Sequence, residues 1–75
     1  MTRWGLIPLP TRRKMVLEIF KEHGVLDVNT LLYELRRKGV SGIDERGLAQ
    51  WLRYYMEFKH IRKHRENGCY RWRLL

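Results

Sequence analysis

The chain has 75 residues, 44% of them hydrophobic, with 16 Lys and Arg against eight Asp and Glu, a formal net charge of +8. That length holds one small domain near the lower limit for folding on a hydrophobic core, and the apolar share excludes disorder throughout. Cys69 is the one cysteine, which excludes an internal disulfide and fits a reducing, intracellular setting.

The opening MTRWGLIPLP is weakly apolar and carries Pro8 and Pro10, a composition expected of neither a signal peptide nor a membrane anchor. No apolar run approaches the roughly 18 residues of a membrane span. The two prolines predict that no helix starts before Thr11. Trp4, Leu6, Ile7 and Leu9 give this arm an apolar character, suited to covering the domain or to forming a homodimer contact.

Thr11 is the expected N-cap of a first helix over residues 12–23, with Gly24 as its stop. Met15, Val16, Ile19 and Phe20 follow the rhythm of a buried stripe. Arg12, Arg13 and Lys14 sit at its start, where the helix dipole disfavours cations. A bound phosphate would relieve that conflict, and so would plain solvation. Val25 and Leu26 are too few for more than a strand fragment.

Asp27 or Asn29 is expected to cap a second helix running to Lys38, which buries Val28, Leu31, Leu32 and Leu35 and stops at Gly39. Arg36, Arg37 and Lys38 in its last turn complement the dipole. After the short turn VSGI, a third helix is expected from Ser41 or Asp44 to about Phe58, with Ser41 and Asp44 spaced as a capping pair. Gly47 in its first turns costs about 1 kcal/mol relative to alanine, which suggests a close approach by the second helix or a ligand backbone. At 100° per residue, Leu48, Trp51, Leu52 and Tyr55 share the expected buried side of this helix. Arg46, Gln50, Arg53 and Glu57 lie opposite, with Ala49 beside them.

Beyond Phe58 the period of the pattern changes to two. His60–Arg65 and Cys69–Leu74 alternate around Asn67-Gly68, a strong hairpin signal. A two-residue loop pairs Glu66 with Cys69, Arg65 with Tyr70, Lys63 with Trp72 and Ile61 with Leu74. One face then carries Ile61, Lys63, Arg65, Tyr70, Trp72 and Leu74, expected to cover the core through its apolar members. The other carries Arg62, His64, Glu66, Cys69, Arg71 and Arg73. Such a concentration of cations favours a polyanionic partner, nucleic acid first and an acidic membrane surface second.

The leucine-rich second helix ending at Gly39, the VSGI turn, the third helix LAQWLRYYMEF and the ribbon IRKHRENGCYRWRLL resemble, in that order, the winged helix-turn-helix family. The resemblance runs from about Thr11 to the end of the chain. It implies an α+β fold, mainly α, with a three-helix helix-turn-helix core and a C-terminal β-hairpin wing; residues 1–10 form an N-terminal arm and residues 11–75 the domain. In that family the third helix enters the major groove of double-stranded DNA, and the wing touches the backbone or the minor groove.

The resemblance implies base contacts from Arg46, Ala49, Gln50 and Arg53. Arginine suits guanine, glutamine suits adenine, and the alanine methyl suits thymine. It implies backbone contacts from Ser41, Tyr54, Arg62, Lys63, His64, Arg65, Arg71 and Arg73. The expected function is that of a double-stranded DNA-binding protein, a small intracellular transcriptional regulator. The alternatives are a winged-helix protein-interaction module and an RNA- or ribosome-binding protein.

Catalysis is not expected, because no nucleophile, base and orienting group fall into a pattern and no glycine loop would cradle phosphate. No cofactor is implied. His60, His64 and Cys69 lack the fourth ligand of a structural zinc site, so no metal is expected either.

Overall fold

Three helices and five short strands build the fold in a computed structural model, which describes residues 2–75. In chain order these are β1 (Thr2–Arg3), a 3-10 turn (Trp4–Leu6), α1 (Leu9–His23), β2 (Val25–Leu26), α2 (Val28–Arg37), β3 (Val40–Ser41), α3 (Glu45–Trp51), a π-helical turn (Leu52–Met56), β4 (Ile61–Glu66) and β5 (Cys69–Leu74). The fold is therefore α+β and mainly helical, a three-helix core closed by a C-terminal hairpin, as expected.

Helix starts follow local chemistry, with one correction. Pro8 and Pro10 do not hold α1 back to Thr11. The helix starts at Leu9 with Pro8 at the N-cap position and Pro10 in its first turn. A first-turn residue has no intrahelical use for its N–H, and the fixed φ of proline is already helical. α2 starts behind Asp27, whose carboxylate accepts from the Thr30 N–H at 2.8 Å, so Asp27 and not Asn29 is the cap. α3 starts behind Asp44, which accepts from the Gly47 N–H at 2.7 Å. Ser41 caps nothing; it lies in β3, which pairs in parallel with β1 as Val40 with Thr2 and Ser41 with Arg3. A Cβ on Gly47 would sit 3.1 Å from the Asp44 carboxylate and 3.3 Å from the Ile43 side chain. The cap itself therefore accounts for this glycine, without recourse to α2 or a ligand.

The third helix does not reach Phe58 as an α-helix. After Trp51 it widens into a π-turn, closed by the Glu57 N–H donating to the Leu52 carbonyl at 2.8 Å, and Glu57 is already extended. Leu52 and Met56, at the two ends of this turn, are both fully buried in the core. Phe58 then takes φ 67°, an unusual conformation for a bulky residue, and its N–H donates to the Ile61 carbonyl at 2.9 Å. That reversal leads straight into β4.

The hairpin has the expected register at every position, from Glu66–Cys69 down to Ile61–Leu74. Asn67 and Gly68 both have positive φ, 51° and 81°, as a two-residue type I′ loop requires. Val25 and Leu26 form the short strand fragment expected: as β2 they pair with Arg73 and Trp72 and complete a three-stranded sheet in the order β2-β5-β4.

One core fills the space between the sheet and the helices. Val16, Ile19 and Phe20 of α1 meet Leu31, Leu32 and Leu35 of α2, with Leu48, Trp51, Leu52 and Met56 from the third helix. Leu26, Ile61 and Trp72 close it from the sheet. Tyr70 is exposed and takes no part in the core; the Lys63 ammonium lies 4.9 Å from its ring centroid instead.

The N-terminal arm belongs to this same core; Met1 lies outside the described residues. Trp4 is 5% exposed and meets Trp51 edge-on, with ring centroids 5.1 Å apart. Arg12 lies over the Trp4 ring at 5.2 Å and donates to the Trp4 carbonyl at 3.0 Å. Of the four apolar arm residues, Trp4 and Ile7 are buried within the chain, Leu9 packs against the core, and Leu6 stays exposed.

Truncating Trp4 to alanine is expected to cost about 3–5 kcal/mol. Leu6→Ala should change stability by less than about 0.5 kcal/mol; thermal or urea denaturation of both variants checks the pair. Hydrogen bonding from Thr30 holds the Asp27 carboxyl below its ordinary value of 3.8, against a smaller opposing effect of burial and with some Coulombic help from Arg71. Stability from that lowered value is present above 3.8 and is lost as pH falls through the lower folded value. Asp27→Ala should thus cost about 1 kcal/mol at neutral pH. The gap to the unaltered protein should narrow in acid, as urea titrations at several pH values would show.

Candidate nucleic-acid interface

Alternation along β4 and β5 divides the wing into two unlike faces. Ile61 and Trp72 turn inward, while Arg62, Arg71 and Arg73 are exposed on the opposite side. The register sets Arg62 directly across from Arg73, and His64 across from Arg71. Cross-strand partners have Cβ atoms about 4.5–5.5 Å apart, so like charges there oppose the pairing. Arg71 has partial relief from Asp27, on whose carboxyl it acts. Among the described residues no carboxylate forms an ion pair with Arg62 or Arg73. Both arginines, with Lys63 and His64, line one open hollow near the C-terminus.

The inward face is also cationic past the end of the core. Lys63 holds its ammonium 4.9 Å from the Tyr70 ring centroid and 5.6 Å from that of Trp72. The aromatic pair thus carries a cation above it and orients it, which a flexible surface lysine would not achieve alone. Arg65 stands exposed across from Tyr70. His64 instead lies 3.3 Å from the Glu66 carboxylate, which tempers its contribution to the cationic face.

α3 presents Arg46, Gln50 and Arg53 to solvent while Leu48, Trp51 and Leu52 fill the opposite side. Ala49 is half-buried beside them, and Glu57 has left the helix altogether. Tyr54 is 78% exposed. Gly47, Gln50, Trp51, Tyr54 and Tyr55, at helical spacings of three and four, line an open hollow of about 670 Å³ with Arg53 at its edge. Within it the Tyr54 and Tyr55 rings meet edge-on at 4.7 Å, and Tyr55 leans on Trp51 at 5.6 Å. The Trp51 indole N–H is buried with no hydrogen-bond partner among the described residues. Periodicity assigned Trp51 and Tyr55 to the core and so missed this hollow; the signal available was the run of aromatics one turn beyond Gly47.

Two positions expected near phosphate have protein neighbours of their own. Ser41 is half-buried in β3, and the start of α3 is occupied by the Asp44 carboxylate with Glu45 in the first turn. At the start of α1, Arg12 is engaged with Trp4, which leaves Lys14 as the exposed cation there. His64 and Cys69 share a face without being cross-strand partners, since they pair with Arg71 and Glu66. Elsewhere, Glu22, His23 and Glu34 bring one potential ligand atom each within 4.8 Å, although Arg37 lies 3.3 Å from Glu34. No described helix is long and apolar enough to cross a membrane.

Comparison with protein-family models, with curated proteins and with solved structures returns no match for this sequence. Geometry and charge alone support a functional reading.

Replacing Arg62 with glutamate opposite Arg73 converts a repulsive cross-strand pair into an attractive one. Arg62→Glu is expected to stabilise the fold by about 0.2–1 kcal/mol at low ionic strength, and by less in high salt. Urea midpoints at two salt concentrations measure this.

Proposed function

We propose that the protein is an intracellular double-stranded DNA-binding protein, a small transcriptional regulator of the winged helix-turn-helix kind, that grips phosphates with its wing and offers α3 to the major groove. The observation that carries the proposal is the pairing of Arg62 with Arg73 on an exposed face, with no ion-pairing carboxylate for either among the described residues. Self-repulsion of that kind weakens the free protein and is relieved by an anionic ligand, as expected of a surface that serves binding rather than stability.

Arg46, Gln50 and Arg53 supply the second part. They stand free on a helix whose other side is fully occupied, and their donors and acceptors match base edges. An exposed helix favours DNA over RNA here, because the major groove of B-form DNA admits a helix and that of A-form RNA does not. Protein interaction is the second reading, and the exposed aromatics Tyr54 and Phe58 are what favour it. No catalytic step enters either proposal.

The test is anisotropy of a labelled random-sequence duplex over a range of salt. Contacts to about 4–6 phosphates give a log–log slope near −4 to −5, and Arg73→Ala should flatten it by about 1 while weakening all sequences alike. Arg53→Ala should cost about 1–3 kcal/mol more on a selected site than on random DNA. Absence of binding at low salt would overturn the proposal in favour of a protein partner.

A further inference from the structure

We infer that the hollow beside α3 is a stacking site for an unpaired nucleobase, so that the preferred ligand is a duplex with a locally open strand rather than a perfect one. The inference rests on the nucleic-acid reading and adds to it the class of DNA structure.

The hollow is built along one stripe, Gly47, Gln50, Trp51, Tyr54 and Tyr55, and its volume of about 670 Å³ lies within the usual range of small-ligand sites. Its shape is open, as a flat heterocycle requires. Tyr54 is 78% exposed, yet it is not a loose surface ring. Tyr55 braces it edge-on at 4.7 Å, and Tyr55 in turn leans on Trp51, which is 7% exposed and locked against Trp4. An exposed aromatic supported by two others is a pre-positioned platform, and the ordering entropy of that ring has already been met in the folded state.

The π-turn contributes to this arrangement. Wide turns of this kind are rare and cost helix stability, and they occur often at functional sites. Here the turn spans Leu52–Met56, so Tyr54 and Tyr55 both ride on the widened segment, and adjacent residues meet in the hollow. Core burial of Leu52 and Met56 accounts for the turn's inner side, and Tyr55 packs against the same core; exposed Tyr54 beside it is left for a ligand.

The chemistry of the rim selects the occupant. Arg53 supplies a guanidinium and Gln50 an amide with both donor and acceptor, each suited to a base edge, and the remaining large side chains of the lining are aromatic. An apolar peptide would leave the two polar groups unused. A nucleotide uses all three features. In a closed duplex, however, base faces are covered by their neighbours and only edges are offered in the groove. Tyr54 can stack only where a base is unpaired.

The experiment compares two labelled duplexes of one sequence, fully paired and with a single bulged fluorescent adenine analogue. Stacking on an aromatic ring predicts roughly 5- to 100-fold tighter binding of the bulged duplex, from the known worth of base–aromatic contacts. It also predicts quenching of the analogue on binding. Tyr54→Phe should keep both effects and Tyr54→Leu should lose both while still unfolding cooperatively, since the change removes one edge-on contact to Tyr55 and no core side chain. Equal affinities without quenching would overturn the stacking site while leaving duplex binding intact. A bulge preference that survives in Tyr54→Leu would overturn its assignment to this hollow. Failure to bind either duplex would overturn this inference together with the function it rests on.

Discussion

The register of β4 against β5 is the constraint on which the rest of the molecule depends. A strand has a period of two, so a slip of one residue would exchange the faces of either strand. Ile61 and Trp72 would leave the core, and arginines would enter it without partners. Asn67-Gly68 prevents that slip by closing the hairpin in two residues of positive φ. The same register places Leu26 against Trp72, so β2 is recruited to the sheet and α1 and α2 are held at their correct distance from it. Core and charged face are therefore two consequences of one turn.

Stability and proposed function pull in opposite directions along this hairpin. A ribbon built for stability alone would alternate charges across the strands, whereas this one sets Arg62 against Arg73 and His64 against Arg71. Burial of Ile61 and Trp72 offsets that cost, because each aligns with the helical core. The third helix shows the same division. Its inner side is continuous with the core through the π-turn, while its outer side presents Arg46, Gln50, Arg53 and Tyr54 with few internal partners.

Much of the fold was legible before any coordinates. Alternation and Asn-Gly gave the hairpin pairs, the aspartates and glycines bracketed the second helix, and apolar spacing named most core residues. The failures have physical causes. Pro8 and Pro10 suggest barriers in the sequence, yet a first helical turn accepts proline. An end of the third helix at Phe58 follows only from an ideal wheel with 100° per residue throughout. A π-turn breaks that assumption, and with it Glu57 left the polar arc. The candidate site was legible as a set of exposed cations and less so as a shape. Ser41 was assigned to a helix start, but strand pairing with β1 removed it.

By itself the sequence determined the order of the three helices and the hairpin, the two faces of the wing and the excess of cations, because each of these depends on residues close together in the chain. Tertiary structure alone decided where Trp4 goes. Its choice between covering the domain and reaching outward depended above all on Trp51, which is distant in sequence and adjacent only after folding, with Arg12 of the following helix over the same ring. It likewise decided that Arg71 has Asp27 nearby while Arg62 and Arg73 face each other without one, and that Trp51, Tyr54 and Tyr55 line an open hollow. Local chemistry sets which surfaces exist; long-range packing sets which of their groups remain free to bind.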